Sequence, residues 1–215
     1  MDTPLNSENG LKPLPRHFHG FALTHIAMRR DSRRLVAAAP LLTPAGYDAA
    51  ARWWSELRAV IDWHHRTEDE ILWPGMISHL PSFAASSHRM VQDHVELDHA
   101  MGEVSAALEG GAADALAHAA PYFDDVLTEH LRAEELISFP AFAQVPADVF
   151  VRIERRVLAA APLRVKRFLP PWLLDDADQW GARDVGAMPV PVRALGRTLL
   201  RRRYRRLVDG IVRPL

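Results

Sequence analysis

One eleven-residue pattern is written twice in this chain, and it constrains the fold more than any other feature. His64-His65-Arg66-Thr67-Glu68-Asp69-Glu70-Ile71-Leu72-Trp73-Pro74 and His130-Leu131-Arg132-Ala133-Glu134-Glu135-Leu136-Ile137-Ser138-Phe139-Pro140 both read His-x-Arg-x-Glu-x-x-Ile-x-x-Pro. An acid follows the glutamate in each copy, and an aromatic residue precedes the proline. Each copy also has a histidine upstream: His25 lies 39 residues before His64, and His94 lies 36 before His130. A unit repeated at this length is a duplicated supersecondary element. The four-residue step from histidine to glutamate puts both on one face of a helix. The chain therefore reads as two copies of one helical hairpin.

Punctuation sets the hairpin arms. Helices are predicted from about Phe18 to Ala39, stopped by Pro40, and from about Tyr47 to Leu72, stopped before Pro74-Gly75. A third runs from Ser82 or Ser86 to Glu109, ahead of Gly110-Gly111. A fourth runs from Ala112 to Ile137, ahead of Pro140, with Pro121 as a kink. No segment alternates with period 2 over a useful length, so no strand is predicted. The fold class expected is all-α, an up-down-up-down four-helix bundle.

At about 100° per residue, each of the four histidines falls in the middle of an apolar stripe. Trp53, Leu57, Val60 and Ile71 share the direction of His64, as does Glu68. Phe123, Val126, Ile137 and Glu134 share that of His130. Met90, Met101, Leu108 and Asp98 align with His94, and Phe18, Phe21, Ser32 and Val36 with His25. Six polar groups converging in a bundle core cost several kcal/mol each if left unpaired, so they satisfy one another or hold cations. The chain has 11 histidines and no cysteine. That excludes disulfides, thiolate zinc, iron–sulfur clusters and a cysteine nucleophile. Imidazole mixed with carboxylate suits iron or manganese, and zinc less specifically.

The order His…His-x-x-x-Glu…His…His-x-x-x-Glu, met by His25, His64, Glu68, His94, His130 and Glu134, resembles the hemerythrin-like (HHE cation-binding) family of non-haem diiron four-helix bundles. The resemblance covers roughly residues 15–142 and differs from the ferritin-like pattern, in which Glu precedes His by three residues. It implies two iron ions with a bridging oxo or hydroxo group. The four histidines would then be terminal ligands, and Glu68 and Glu134 bridges. It also implies a small ligand: oxygen, peroxide or nitric oxide. Oxygen-carrying members place a fifth histidine one turn after the third-helix ligand. Here that position is Asp98, and His99 points about 140° away from His94. Two coordination positions stay open for Asp98, His99, Tyr47, Tyr122, water or an oxidant. The enzymatic version of this reading is catalase-like, peroxidase-like or nitric-oxide-detoxifying; the binding version is an oxygen or redox sensor or an iron reservoir. His65 and the acids Asp69 and Glu135 are expected outside the ligand set, as hydrogen-bonding partners of ligands or as solvated groups. His17, His19, His79, His88 and His118 read as surface or cap residues, and Trp53, Trp54, Trp63 and Trp73 as core.

Charge divides the chain. Residues 1–149 hold 11 Lys+Arg against 21 Asp+Glu, and residues 150–215 hold 15 against 6. The expected units are 15–145, the bundle, and 146–215, a basic helical extension that packs on the bundle and neutralises it. In the extension, a helix is predicted over Asp148–Ala160 with Asp148 as N-cap. A looser segment follows, punctuated by Pro162, Pro170-Pro171, Pro189 and Pro191, then a helix over Val192–Val212 that carries Arg201, Arg202, Arg203, Arg205 and Arg206. Its alternative role is contact with a membrane or protein partner; with a net charge of −1, nucleic acid is not expected. Trp172 or Trp180 could mark an exposed contact. Without an apolar leader stretch in Met1 to Pro15, the expected location is cytoplasmic.

Overall fold

The computed structural model describes residues 5–175 and 199–212, and of 88–93 the helical backbone only. Among the described residues there are helices and turns and no strand. The bundle is made by α1 (His19–Ala38), α2 (Pro44–Thr67), α4 (Ala84–Glu109) and α5 (Ala113–Gln144). A π-helical turn, Glu68–Leu72, and the short α3 (Trp73–Ile77) prolong α2. Beyond the bundle come α6 (Ala147–Ala160), α7 (Leu163–Leu173) and α8 (Leu199–Val212). In the bundle α1 packs on α5, α5 on α4, and α4 on α2.

Apolar periodicity places the helices. On α1, Phe18, Phe21, Ala22, Met28 and Leu35 are buried together with His25 and Ser32, the i, i+3, i+4, i+7 stripe of a core-facing helix. On α5 the same holds for Phe123, Leu127, Leu131, Phe139 and Phe142 around His130 and Glu134. All four tryptophans of the second helical segment, Trp53, Trp54, Trp63 and Trp73, are core residues. Glycine ends α4: Gly111 takes a left-handed φ of 61°, and Ala112 N–H reaches back to Ala107 C=O at 3.1 Å.

Two prolines do not act as stops. Helix α5 was expected to end before Pro140, and it continues to Gln144. The proline removes a hydrogen bond to the carbonyl of Leu136, but Leu136 and Pro140 both lie on the exposed face of the helix, where such a loss is tolerated. The continuation is worth making because it buries Phe142 against Phe18, Phe21 and Phe150, with ring centroids 4.7–5.7 Å apart. Burial of an aromatic ring contributes about 1.5–3 kcal/mol. In the other copy, Pro74 occupies the first turn of α3, where its missing N–H is tolerated, and the helical path runs on to Ile77.

Among the described residues of the C-terminal third, 147–173 are more regular than their prolines imply. Asp148 is not the N-cap of α6; Pro146 is, and Asp148 bonds Arg152 one turn on, at 2.6 Å. The looser segment expected after Pro162 begins with α7, which includes Pro170-Pro171. Trp172, expected to be exposed, is fully buried and donates its indole N–H to Asp31 at 2.9 Å. Asp31 also accepts from Arg30 and Arg34, both at 2.8 Å, and Arg30 continues to the carbonyls of Trp172 and Asp175. These bonds tie α7 to α1. Trp180, Pro189, Pro191 and the first turns of the helix predicted from Val192 lie outside the described residues.

Helix α8 packs on α2 and α7 through Tyr204 and Ile211. Arg203 and Arg164 both pair with Glu56 of α2, at 3.5 and 2.9 Å. Arg201, Arg202, Arg205 and Arg206 are exposed and make no ion pair among the described residues. The apolar face of α8 therefore docks it, and most of its arginines face solvent. A Cβ on Gly210 would lie 2.9 Å from the Ala49 methyl, which cannot rotate away. Gly210→Ala is thus expected to destabilise by about 1–2 kcal/mol, although Gly→Ala inside a helix ordinarily stabilises by about 1 kcal/mol. The midpoint of urea unfolding reads the sign directly.

Candidate metal centre

The site is assembled from α1, α2 with its π turn, α4 and α5. His25 of α1 is completely buried. Its Nδ1 lies 2.9 Å from Glu135 Oε1. That carboxylate also accepts from Arg29 Nη1 at 2.8 Å, from Ser7 N–H at 2.8 Å and from the Ser7 hydroxyl. A carboxylate so placed assigns the proton to Nδ1 and leaves the Nε2 lone pair facing inward. There Nε2 meets His64 Nε2 at 3.1 Å, and His64 Nε2 lies 2.8 Å from Glu68 Oε1. His25, His64, Glu68 and Glu134 each offer a ligand atom, and these atoms all lie within 4.8 Å of one another.

A second group lies on the α4 side. His65, His94 and His130 likewise present ligand atoms mutually within 4.8 Å. The His65 and His94 rings stack 4.3 Å apart, and His130 sets its edge on each, at 5.0 and 5.1 Å. Asp69 Oδ2 is 3.4 Å from His94 Nδ1. Glu134 joins the two groups. Its Oε2 is 3.7 Å from His25 Nε2 in the first and 3.7 Å from His130 Nε2 in the second.

All six residues expected from the sequence thus meet at one place, divided between two adjacent groups. His65, expected outside the ligand set, is in the second group. Asp98 and His99 are in neither: Asp98 is exposed and 3.7 Å from Arg58, while His99 is exposed and faces Glu103 and Tyr122. Tyr47 is buried with its hydroxyl unpartnered, and the Tyr122 ring lies 6.4 Å from that of His99. Glu135 accepts the His25 hydrogen bond from a fully buried position. Among the remaining histidines, His17 and His19 bond the backbone carbonyls of Phe142 and Leu14, and His79 and His118 are exposed.

Burial leaves these groups poorly satisfied as they stand. Both Oε atoms of Glu68 and of Glu134, both ring nitrogens of His130 and Nε2 of His65 are buried without a hydrogen-bond partner. Burial lowers the pKa of His25 to about 4, despite Glu135 beside it, and that of His64 to about 3. It also lowers His65, with His130 and His94 adding to the effect, and His130, with His94 and His25 adding. Burial raises Glu68, with Asp69 adding to the effect, and raises Glu134, with Glu68 and Glu135 adding. Glu135 is the exception. Burial would raise it, but the His25 hydrogen bond and the Arg29 charge hold it at about 2. His25, His64, His65 and His130 are therefore held neutral, as ligands must be, and burial disfavours the charged forms of Glu68 and Glu134 unless a cation joins them. Orphaned nitrogen and oxygen donors at this spacing fit a pair of transition-metal ions.

The model of the hemerythrin HHE cation-binding domain matches residues 17–151. The chain belongs to that family. No match was found among curated proteins or among solved structures. The matched region of this HHE chain contains every residue of both groups, along with Asp69 and Glu135, and continues into α6. Metal binding is the property that the family description names.

Two features escaped the sequence reading. His65 and Asp69 repeat, one residue on, the four-residue step of His64 and Glu68, so the doubled His-His followed by Glu-Asp was a signal that His65 and Asp69 turn toward His94. The π turn, with Trp73 N–H bonded to Glu68 C=O, inserts a residue into the helical path at Glu68. Such insertions concentrate at functional sites, and it has no counterpart at Glu134, where α5 is regular.

Proposed function

We propose that this HHE domain holds two iron ions, one at His25, His64, Glu68 and Glu134 and one at His65, His94 and His130. In this reading Glu134 is shared between them, and the centre binds or reacts with oxygen, peroxide or nitric oxide. The observation that carries this reading is the position of Glu134 Oε2, equidistant from a histidine of each group. A carboxylate between two ions is what holds a metal pair together. When bound, the iron pair supplies one- and two-electron chemistry toward such small molecules.

The residues of the chain do the rest. Glu135, itself fixed by Arg29 and Ser7, keeps the proton of His25 on Nδ1 and the ring in one orientation. Phe21 lies 4.5 Å from the His25 ring and 5.2 Å from the His64 ring, and Phe139 and Phe142 stand behind it. This aromatic wall keeps bulk water from the first group. The second group is open on the His94 side, where that ring is partly exposed, while His65 and His130 are buried.

The test is anaerobic loading with ferrous iron, removal of excess metal, and a count of iron per chain, followed by peroxide at an oxygen electrode. Two irons retained per chain and catalytic gas evolution support the enzymatic version. Two irons with only stoichiometric uptake support a carrier or sensor. No retained iron contradicts the reading.

A further inference from the structure

Between α2 with its π turn and α4 a groove of about 560 Å³ opens to solvent, lined by Asp62, His65, Asp69, Glu70, His94 and Asp98. Its rim is acidic. Four carboxylates face Arg66, and Arg58 partly offsets Asp62 and Asp98 at 3.9 and 3.7 Å. At its floor are His65 and His94 of the second group. His65 is only 7% exposed, and its Nε2 has no hydrogen-bond partner. Asp69 stands between rim and floor, 3.4 Å from His94. His25, Glu68 and Glu134 are at most 1% exposed and lie beyond this floor.

We propose that this groove is the port by which divalent metal cations reach the centre, entering at His65 and His94. The inference rests on the two-ion reading above. The rim attracts a hydrated cation electrostatically. Asp69 offers it an oxygen at half depth, and the unpartnered imidazole of His65 takes it from there. The same rim repels small anions, while a neutral molecule such as oxygen or peroxide passes. The two ions are consequently unequal: the one on the His65 side loads and exchanges through the groove, and the inner one is reached through the outer position.

The test is stopped-flow uptake of cobalt(II) by the metal-free full chain, followed by visible absorption at low ionic strength. Asp62→Asn with Asp98→Asn removes two rim charges at exposed positions and also frees Arg58. The first phase of uptake is expected to slow about tenfold, with the final content still two ions and the circular dichroism unchanged. Glu109→Gln with Asp114→Asn removes two exposed charges elsewhere on the surface and should leave the rate as in the native protein. Equal rates in the two double variants, with two ions bound in each, would overturn the port and leave the two-ion reading intact. A native protein that binds no cobalt would overturn both.

Discussion

Replacing Glu68 and Glu134 together by leucine is expected to abolish retention of the inner ion and to make the metal-free protein more stable. Both carboxyl groups are buried, their oxygens face each other and His64 and no permanent donor of the chain, and burial raises the pKa of each. In the absence of a cation they are a cost to the fold, because a buried polar group without a partner keeps its full desolvation penalty. Apolar side chains of similar size in place of buried ionisable groups stabilise proteins by about 1–4 kcal/mol. The gain should be visible as a higher urea midpoint at unchanged m-value, alongside a fall from two ions to at most one by metal analysis. Loss of stability in the metal-free variant would instead mean that the two acids serve as a self-satisfied core pair. This prediction separates a site kept for function from one kept for structure.

A second large effect is expected far from the centre. Asp31 is fully buried and accepts from Arg30, Arg34 and the indole of Trp172. Asp31→Ala removes the carboxylate that compensates Arg30, whose side chain is 12% exposed, and orphans the Trp172 N–H. Breaking a buried ion pair by deleting one partner costs about 3–5 kcal/mol. The loss should appear in the unfolding midpoint, with α7 released first, as read by hydrogen exchange of the Leu163–Leu173 amides. Metal content should be unchanged, since Asp31 touches no member of either group. An effect below about 1 kcal/mol would show that α7 is held by apolar contact alone.

The six residues that meet in the two groups were legible in the sequence because the histidine–glutamate step matches helical geometry and occurs twice. Proline and glycine punctuation marked the helices and their order. What was not legible came from tertiary packing. Pro140 reads as a stop in isolation, yet the burial of Phe142 carries α5 past it. Trp172 sits in a proline-rich stretch that reads as loose, yet the charge of Asp31, 141 residues away, draws it into the core. His65 points off the expected face of an ideal helix, and its place in the second group became visible only with α4 and α5 alongside it. The π turn depends on no residue pattern that marks it in advance. Local rules failed at Glu68 and His65, where the site is built, as expected if function overrides regular geometry there.

The central claim is that two adjacent groups hold one ion each and share Glu134. Anomalous diffraction from a crystal of the iron-loaded protein tests it most directly. The account predicts two peaks, about 3–4 Å apart. One lies within about 2–2.3 Å of donors from His25 and His64, the other at the same range from donors of His65, His94 and His130, with a Glu134 oxygen between them. A single peak, or two peaks with Glu134 turned away from both, would contradict it.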